Sequence, residues 1–269
     1  MSSSTSPLRV GRIVALNMYP VYHPLEAANL SNVAFTDGLP TTLNRLVIAG
    51  DLDMSAMSSI EYARHSDMLE LLPVGSITAA GAVDSIQVFS RVPFEQIRSV
   101  AVTTHSASSV ALLRVLVGPD VVFTPLTGTV WEELTNVDGV LLIADEALAE
   151  MRRPSATYAT DLGERWRALT GLPMVFAVWA VRREVADARR PELDQLGAII
   201  REASLRHQRD PEGVVAAATE RFPFPQDFIR HYFTRLSYDF GASERASLER
   251  FFELAHDAGE LSHVPALPD

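Results

Sequence analysis

The chain has 269 residues, of which 47% are hydrophobic and 21% charged, a composition typical of a folded protein with about two domains. It carries 23 basic and 34 acidic residues and a formal net charge of −11, which argues against a general nucleic-acid-binding protein because that class needs a basic surface. It contains no cysteine, which excludes disulfide bonds, thiolate catalysis and cysteine-ligated zinc or iron–sulfur clusters.

The sequence shows no targeting or membrane-spanning segment. Met1–Pro7 is a Ser/Thr-rich tail without a cationic start, and the apolar stretch Ile13–Leu16 is too short for the hydrophobic region of a signal peptide. No run of about 18 apolar residues occurs, so no membrane-spanning helix is predicted. We expect a cytoplasmic protein with no membrane partner, and the sequence does not indicate its oligomeric state.

Short apolar segments, each followed by a helical pattern, predict an α/β fold with open parallel sheets. Three of these segments predict buried parallel strands: Val10–Leu16, Ser99–Thr103 and Gly139–Ala144. Three others have strand-like patterns: Met54–Met57, Ser85–Ser90 and Met174–Val181. Helices are predicted over Ser106–Leu116 and over Thr160–Thr170, where Gly171 gives a C-cap.

The last third of the sequence predicts a helical C-terminal segment that begins near Pro191. Its first helix has apolar residues on one face: Leu193, Leu196, Ile199, Ile200 and Ala203. Two further helices are predicted at about Pro211–Arg221 and Pro225–Leu236. A fourth begins at Ser243 as N-cap and ends before Gly259.

Two segments are candidates for crossovers between lobes, Phe89–Glu95 and Phe176–Arg183. A chain that leaves the first domain near residue 92 and returns near residue 180 has residues 1–91 and 181–269 in lobe I and residues 92–180 in lobe II. Two adjacent linkers form a hinge, and the cleft between the lobes becomes the predicted ligand site.

Familiar catalytic signatures are missing from the sequence. It contains no Gly-x-Gly-x-x-Gly, Walker A loop, Gly-x-Ser-x-Gly elbow or His-Glu-x-x-His. Its 7 histidines show no metal-ligand spacing, so most are expected on the surface or in packing roles.

Hydroxyl residues cluster where one predicted strand leads into a helix, directly after Val100–Val102. The cluster includes Thr104, Ser106, Ser108 and Ser109. A helix N-terminus has unpaired N–H groups and a partial positive charge, so added hydroxyl donors favour a carboxylate or phosphate receptor. The alternative is an ordinary N-cap with additional serines.

A second strand-to-helix junction, Ser55–Tyr62, contains Ser58 and Ser59. Either serine could cap the helix, which is the simpler interpretation. Together, the two junctions would present two anion-binding helix starts, one in each lobe. That arrangement suits a ligand with two carboxylates.

Two polar residues follow the carboxyl ends of predicted strands, where ligands bind in open α/β sheets. Asn17 follows the first strand and offers an uncharged acceptor and two donors, although asparagine is also common in turns. Asp145 follows the strand Leu141–Ala144 and either orients a ligand hydroxyl or caps the helix Glu146–Met151.

The sequence resembles the chorismate dehydratases of the futalosine route to menaquinone. The matching segments, in family order, are Gly11–Pro20, Met57–Arg64, Val83–Pro93, Thr104–Leu113 and Leu142–Leu148. Most of the specificity lies in Ser-Ser-Ile-Glu-Tyr-Ala-Arg and the downstream Phe-Ser-Arg-Val-Pro. The sequence departs from the family at Ala144, where relatives often carry glycine, and at the variable pair Met18–Tyr19.

The resemblance implies a two-lobed, type II periplasmic-binding-protein-like fold with an interlobe cleft, used as a cytosolic enzyme without metal or organic cofactor. The implied reaction removes water from chorismate, a small dicarboxylate, to give 3-[(1-carboxyvinyl)oxy]benzoate. In that reaction Asn17 would contact the reacting region and serve as the catalytic residue. The general base is not identified, and the enolpyruvyl carboxylate of the substrate is one candidate.

The remaining candidate residues would bind the substrate. Ser58 or Ser59 would hold one carboxylate, and a larger hydroxyl group would hold the other: Ser85, Ser106, Ser108 and Ser109. Thr104 and Asp145 are further candidate substrate contacts.

Three other functions stay open at this point. A dihydroxynaphthoate synthase of the same pathway would share the fold and act on cyclic dehypoxanthine futalosine. A solute receptor that feeds a transporter would bind a small anion without converting it, but no signal peptide or lipobox cysteine is found. A regulatory effector-binding domain would need a DNA-binding helix-turn-helix, for which the predicted first strand near Val10 leaves no room.

Overall fold

The computed structural model describes residues 6–28 and 30–268, so most of the predicted tail Met1–Pro7 lies outside these ranges. Within them the chain forms two five-stranded β-sheets that are packed against helices, which confirms the predicted α/β class. In the same ranges no helix is both long enough and apolar enough to cross a membrane.

The strands, in chain order, are β1 (Leu8–Ile13), β2 (Val33–Gly38), β3 (Met54–Ser58), β4 (Leu69–Ala79), β5 (Ile86–Ser90), β6 (Ser99–Val102), β7 (Val122–Pro125), β8 (Gly139–Ile143), β9 (Tyr158–Asp161) and β10 (Met174–Arg182). The helices are α1 (Tyr19–Ala27), α2 (Pro40–Ala49), α3 (Ser59–Arg64), α4 (Ala107–Val117), α5 (Val130–Glu133), α6 (Ala144–Arg152), α7 (Leu162–Thr170), α8 (Arg183–Arg209), α9 (Pro211–Arg221), α10 (Gln226–Phe233) and α11 (Ala242–Asp257).

The first sheet has the order β2-β1-β3-β10-β4 and the second the order β7-β6-β8-β5-β9. The predicted parallel strands β1 and β6 are parallel to both of their neighbours. In contrast, β10 and β5 run antiparallel to both of their neighbouring strands. Both sheets are therefore mixed, and the prediction of purely parallel sheets is wrong.

The chain passes from the first sheet to the second between β4 and β5 and returns between α7 and β10. We define lobe II as β5 to α7 and lobe I as the elements before and after it. The predicted crossovers Phe89–Glu95 and Phe176–Arg183, and the boundaries at residues 91/92 and 180/181, are therefore wrong. An apolar segment shows that a strand is buried, but its partners in the sheet depend on pairing with distant strands.

The helices differ from their predicted bounds for local reasons. Helix α8 begins at Arg183, before the predicted start at Pro191. Arg189 has non-helical backbone angles and interrupts the helix. A proline has no N–H to donate to the preceding turn, so a break close to it is expected. The N-cap of α11 is Gly241 rather than Ser243, and α7 starts after the short strand β9, which the sequence pattern did not predict.

The carboxylate of Asp161 fixes the crossover from lobe I to lobe II and is 8% exposed. Its oxygens accept hydrogen bonds of 2.7–3.1 Å from N–H groups of Val83, Asp84, Gln87, Gly163 and Glu164. Two of these donors belong to the first turn of α7, which Asp161 caps. One side chain therefore joins a helix start to the loop that carries Ser85.

The substitution Asp161→Asn is expected to lower the free energy of unfolding by about 3 kcal/mol. Both carboxylate oxygens face N–H donors, so the new amide NH₂ opposes a donor in either orientation. Urea unfolding, compared with the exposed control Asp120→Asn, measures the cost. The control is expected to stay within about 0.5 kcal/mol of the unsubstituted chain. Equal free energies for the two variants would contradict the role given to Asp161.

Candidate active site

A cavity of about 380 Å³ lies between the two lobes. Most of the predicted site residues line it: Asn17, Ser58, Ser85, Ser106, Ser109 and Asp145. Lobe I contributes the first two of these, Ser85 ends the crossover, and lobe II contributes the rest. The structure therefore brings together side chains that are far apart in the sequence.

Asn17 follows the end of β1 by a few residues and lies in a single turn of 3-10 helix, Leu16–Met18. Its side-chain oxygen Oδ1 is buried and has no hydrogen-bond partner. A buried amide oxygen without a partner is costly, so it marks a place where a ligand or water donor completes the site. Its position on the cavity wall is consistent with the predicted contact to substrate.

The hydroxyl groups on the wall are held by neighbouring polar groups. Ser58 ends β3, and its Oγ accepts a hydrogen bond of 3.2 Å from Nδ2 of Asn44. Ser106 is the N-cap of α4, because its Oγ accepts from the backbone N–H of Ser109 at 3.2 Å and donates to the Ser109 Oγ at 2.8 Å. The N-cap interpretation is thus confirmed for Ser106, which lines the cavity as well.

Three predicted substrate contacts lie away from the cavity wall. Thr104 is exposed, on the far side of the loop before α4. Ser59 and Ser108 are buried and bond to each other, Oγ to Oγ, at 3.0 Å. Ser59 also donates to the carbonyl of Val175 at 2.8 Å, and Ser108 accepts from the N–H of Ile60 at 3.2 Å. These two serines join the starts of α3 and α4 across the lobes, which leaves their hydroxyls occupied.

Ser85 and Ala144 meet where lobe II begins. The N–H of Ala144 donates to the carbonyl of Ser85 at 2.7 Å, which continues the pairing of β8 with β5 past the last strand residues. Ala144 has φ of 51°, a left-handed conformation that costs a residue with a Cβ about 1 kcal/mol. This conformation turns the chain sharply from β8 into α6, so that Asp145 reaches the cavity.

Asp145 connects lobe II to the segment that carries Asn17. Its Oδ1 accepts a hydrogen bond of 3.1 Å from the N–H of Leu16. Asp145 stands in the first turn of α6 and is not its N-cap, which is Ile143, so the predicted capping role is wrong. Burial raises the pKa of Asp145, and the nearby charge of Glu146 acts in the same direction. The hydrogen bond from Leu16 partly opposes this rise.

Several wall residues were not predicted from the sequence, among them Ile77, His105, Phe176 and Leu236. Phe176 lies at a break in the register between β10 and β4, which leaves it and the adjacent Ala177 both on the cavity wall. A β-bulge has this effect, and it depends on pairing that a sequence pattern does not reveal. His105 lies within the hydroxyl-rich segment before α4, and this position in the sequence is the signal that could have identified it as a wall residue.

The cavity offers mainly uncharged donors. No arginine is among the described residues that line it, and the sequence contains no lysine. The titratable residues on the wall are His105, Asp145 and Glu146, and Glu146 is exposed. An anion here would be held by hydroxyls, by the amide of Asn17 and by the N–H groups at the start of α4. Across the described ranges, no group of three or more His, Asp or Glu side chains is placed to hold a metal ion.

The fold is similar to that of two solved binding proteins for sulfonates. The alkanesulfonate-binding protein SsuA from Xanthomonas axonopodis pv. citri, bound to MOPS, has a TM-score of 0.74 and 14% identity, with 97% of this chain and 96% of that chain covered. The periplasmic aliphatic sulphonate binding protein SsuA from Escherichia coli has a TM-score of 0.67 and 17% identity, with 97% and 95% covered. The predicted periplasmic-binding-protein-like fold is therefore confirmed.

Curated relatives give the family. A chorismate dehydratase from Thermus thermophilus is 32% identical over 255 residues, which are 88% of this chain and 91% of the relative. A chorismate dehydratase from Campylobacter jejuni is 30% identical over 172 residues, which are 62% of this chain and 64% of the relative. The family model described as menaquinone biosynthesis matches residues 8–257, and the chain belongs to that family.

Proposed function

We propose that the protein is a chorismate dehydratase, which removes water from chorismate to give 3-[(1-carboxyvinyl)oxy]benzoate. The main support is an interlobe cavity lined by Asn17, Ser85 and Ser106, with uncharged donors from both lobes. The names of the two curated relatives and the family match over residues 8–257 support the same reaction. A place in biosynthesis supports a cytoplasmic location.

The dehydration requires little from the protein beyond binding and positioning of the substrate. The C–H bond beside the ether oxygen breaks, and a base takes the proton while the ring carboxylate and diene delocalise the electron pair. The neighbouring C–O bond then breaks, the leaving hydroxide takes up a proton to form water, and the ring becomes aromatic. Because aromatisation favours the products, preorganised donors and modest acid–base help suffice.

The residues of the cavity can be assigned to parts of this substrate. Asn17, with its unpartnered Oδ1, contacts the reacting region, where it holds the leaving hydroxyl or stabilises the dienolate. The hydroxyl of Ser109, which Ser106 holds in place, and the N–H groups at the start of α4 bind one carboxylate together with Ser85, and Ser58 binds the other. The proton acceptor is either a titratable wall residue or the enolpyruvyl carboxylate of the substrate.

In this proposal, a doubly negative substrate binds beside the carboxyl group of Asp145. Burial already raises its pKa, and the substrate charge acts further in that direction. The neutral acid is therefore the form that favours binding. Binding is strongest below the raised pKa and weakens as the pH rises through it.

Incubation of the protein with chorismate is expected to give an ultraviolet change as the ring becomes aromatic, with release of the enolpyruvyl-oxy benzoate. No metal or cofactor is added, since none is predicted to be needed. Conversion of cyclic dehypoxanthine futalosine in place of chorismate would favour the dihydroxynaphthoate synthase of the same pathway. Tight binding of chorismate without product over hours would favour a solute receptor.

The substitution Asn17→Ala is expected to lower the turnover of chorismate by about 100-fold or more, as for the loss of one preorganised donor. Circular dichroism is expected to be unchanged, because the removed amide oxygen has no partner in the folded chain. The matched control is Asn136→Ala, which removes an exposed asparagine that is not on the cavity wall. A near-normal rate for Asn17→Ala would show that its assigned role is wrong.

The substitution Asp145→Asn is expected to remove most of the rise in KM for chorismate with increasing pH. An asparagine Oδ1 still accepts from the N–H of Leu16, so the tie between the lobes stays while the titrating group is lost. The comparison variant is Glu146→Gln, which changes KM less because solvent screens the exposed carboxylate. His105, the third titratable wall residue, is present in both variants. Identical pH profiles of KM for Asp145→Asn and the unsubstituted enzyme would contradict the proposal.

A further inference from the structure

The backbone of Asn17 is held by a residue from the other end of the chain. The hydroxyl of Tyr238 donates to the carbonyl oxygen of Asn17 at 2.6 Å, and Tyr238 is 3% exposed. The turn Leu16–Met18 is a single 3-10 turn, which has weak geometry of its own. Its conformation therefore depends on contacts from outside the turn.

The side chain of Asn17 depends on that backbone support. Its Oδ1 has no hydrogen-bond partner within the protein. Two bonds hold the turn from outside: Asp145 accepts from the N–H of Leu16 at 3.1 Å, and Tyr238 donates to the carbonyl of Asn17. One bond comes from lobe II and the other from the C-terminal segment, so the backbone of the turn is held from two sides.

Tyr238 is itself fixed, because residues 235–239, here named the C-terminal strap, lie along the edge strand β4. The N–H of Ser237 donates to the carbonyl of Thr78 at 2.8 Å, and the return bond from Thr78 to Ser237 is 2.9 Å. The carbonyl of Tyr238 accepts from the N–H of Ser76 at 3.0 Å. The strap thus adds backbone bonds to β4, an edge strand of the first sheet.

Two further contacts set the position of the strap. The rings of Tyr238 and His207 pack in a T-shaped arrangement, with centroids 5.9 Å apart and planes at 83°. Opposite the strap, β4 carries Gly75, where a Cβ would come within 2.9 Å of the Tyr238 carbonyl oxygen. The absence of a side chain at Gly75 permits the strap to approach β4 closely.

We propose that Tyr238 is a positioning residue, whose hydroxyl holds the Asn17 carbonyl so that the Asn17 side chain keeps its productive direction at the substrate. This inference rests on the proposed function, since it assigns a role in the turnover of chorismate. It also gives the C-terminal strap a function in catalysis, although the strap comes from a segment far from Asn17 in the sequence.

The test compares Tyr238→Phe with Tyr22→Phe. Tyr22 is also 3% exposed and donates its hydroxyl to a backbone carbonyl at 3.0 Å, but that carbonyl belongs to Gly11 in β1 and not to the turn of Asn17. Both variants keep the ring and lose one buried hydroxyl bond, so similar falls in melting temperature are expected. Tyr238→Phe is expected to lower kcat about 10- to 100-fold with KM changed less than about twofold, as for a misplaced reacting group. Tyr22→Phe leaves kcat nearly unchanged.

A double-mutant cycle separates positioning from a general structural effect. In an Asn17→Ala background, Tyr238→Phe is expected to cause no further loss of kcat, because the side chain that it positions is already gone. Gly75→Ala displaces the strap without changing Tyr238, and we expect the same fall in kcat at constant KM.

Three results would overturn the inference. They are equal kcat values for Tyr238→Phe and Tyr22→Phe, a full further loss in the Asn17→Ala background, and a rise in KM in place of a fall in kcat. An unsubstituted protein that does not convert chorismate would overturn the proposed function and this inference together. If the unsubstituted protein converts chorismate and Tyr238→Phe has the same kcat, only this inference is overturned.

Discussion

In the proposed function, a doubly negative substrate is held in this cavity without an arginine or lysine from the described residues that line it. No arginine is among the described lining residues and the sequence has no lysine, so neutral dipoles have to provide the stabilisation. Neutral donors are effective only when they are fixed in advance and sheltered from water, because reorientation would otherwise cancel their gain. The hydroxyls of Ser58 and Ser109 meet this requirement, since Asn44 donates to the first and Ser106 to the second, each from the same lobe.

The same requirement explains why buried polar ties surround the cavity. Ser59 and Ser108 bond to each other behind it, and they join the first turns of the two helices whose starts supply the donors. Asp145 reaches across to the N–H of Leu16 on the other side. With Asp161 on the crossover, these contacts limit how far the two lobes can shift relative to each other in this conformation. The cavity is thereby held in shape by residues that do not all line it.

Much of the fold could be predicted from the sequence because its central strands are buried on both faces. Strands β6 and β8 form short aliphatic segments, and their bounds were predicted to within a residue or so. Strand β4 was not predicted, since Pro73 and Gly75 interrupt its apolar residues. The edge position of β4 tolerates the proline, and the strap occupies the space above the glycine. The assignment of β5 and β10 to sheets failed because it depends on antiparallel pairing over long distances.

The candidate site, like the fold, could be predicted from the sequence only in part. Asn17 and Ser106 were found because polar residues at strand ends and helix starts have local signatures. Ser108 has the same chemistry and the same neighbourhood in the sequence, yet tertiary packing turns it toward Ser59. Phe176 and Tyr238 had no local signal, since a bulge brings one to the cavity and the strap brings the other to Asn17. Sequence patterns therefore identified polar residues that line the cavity, but not the residues that tertiary packing brings beside them.

The most direct test of binding by neutral donors is a crystal structure of the Asn17→Ala variant with chorismate bound. We expect both carboxylates in the interlobe cavity, one on Ser109 and the start of α4, and the other on Ser58. A carboxylate paired with an arginine, or chorismate bound outside this cavity, would contradict the account.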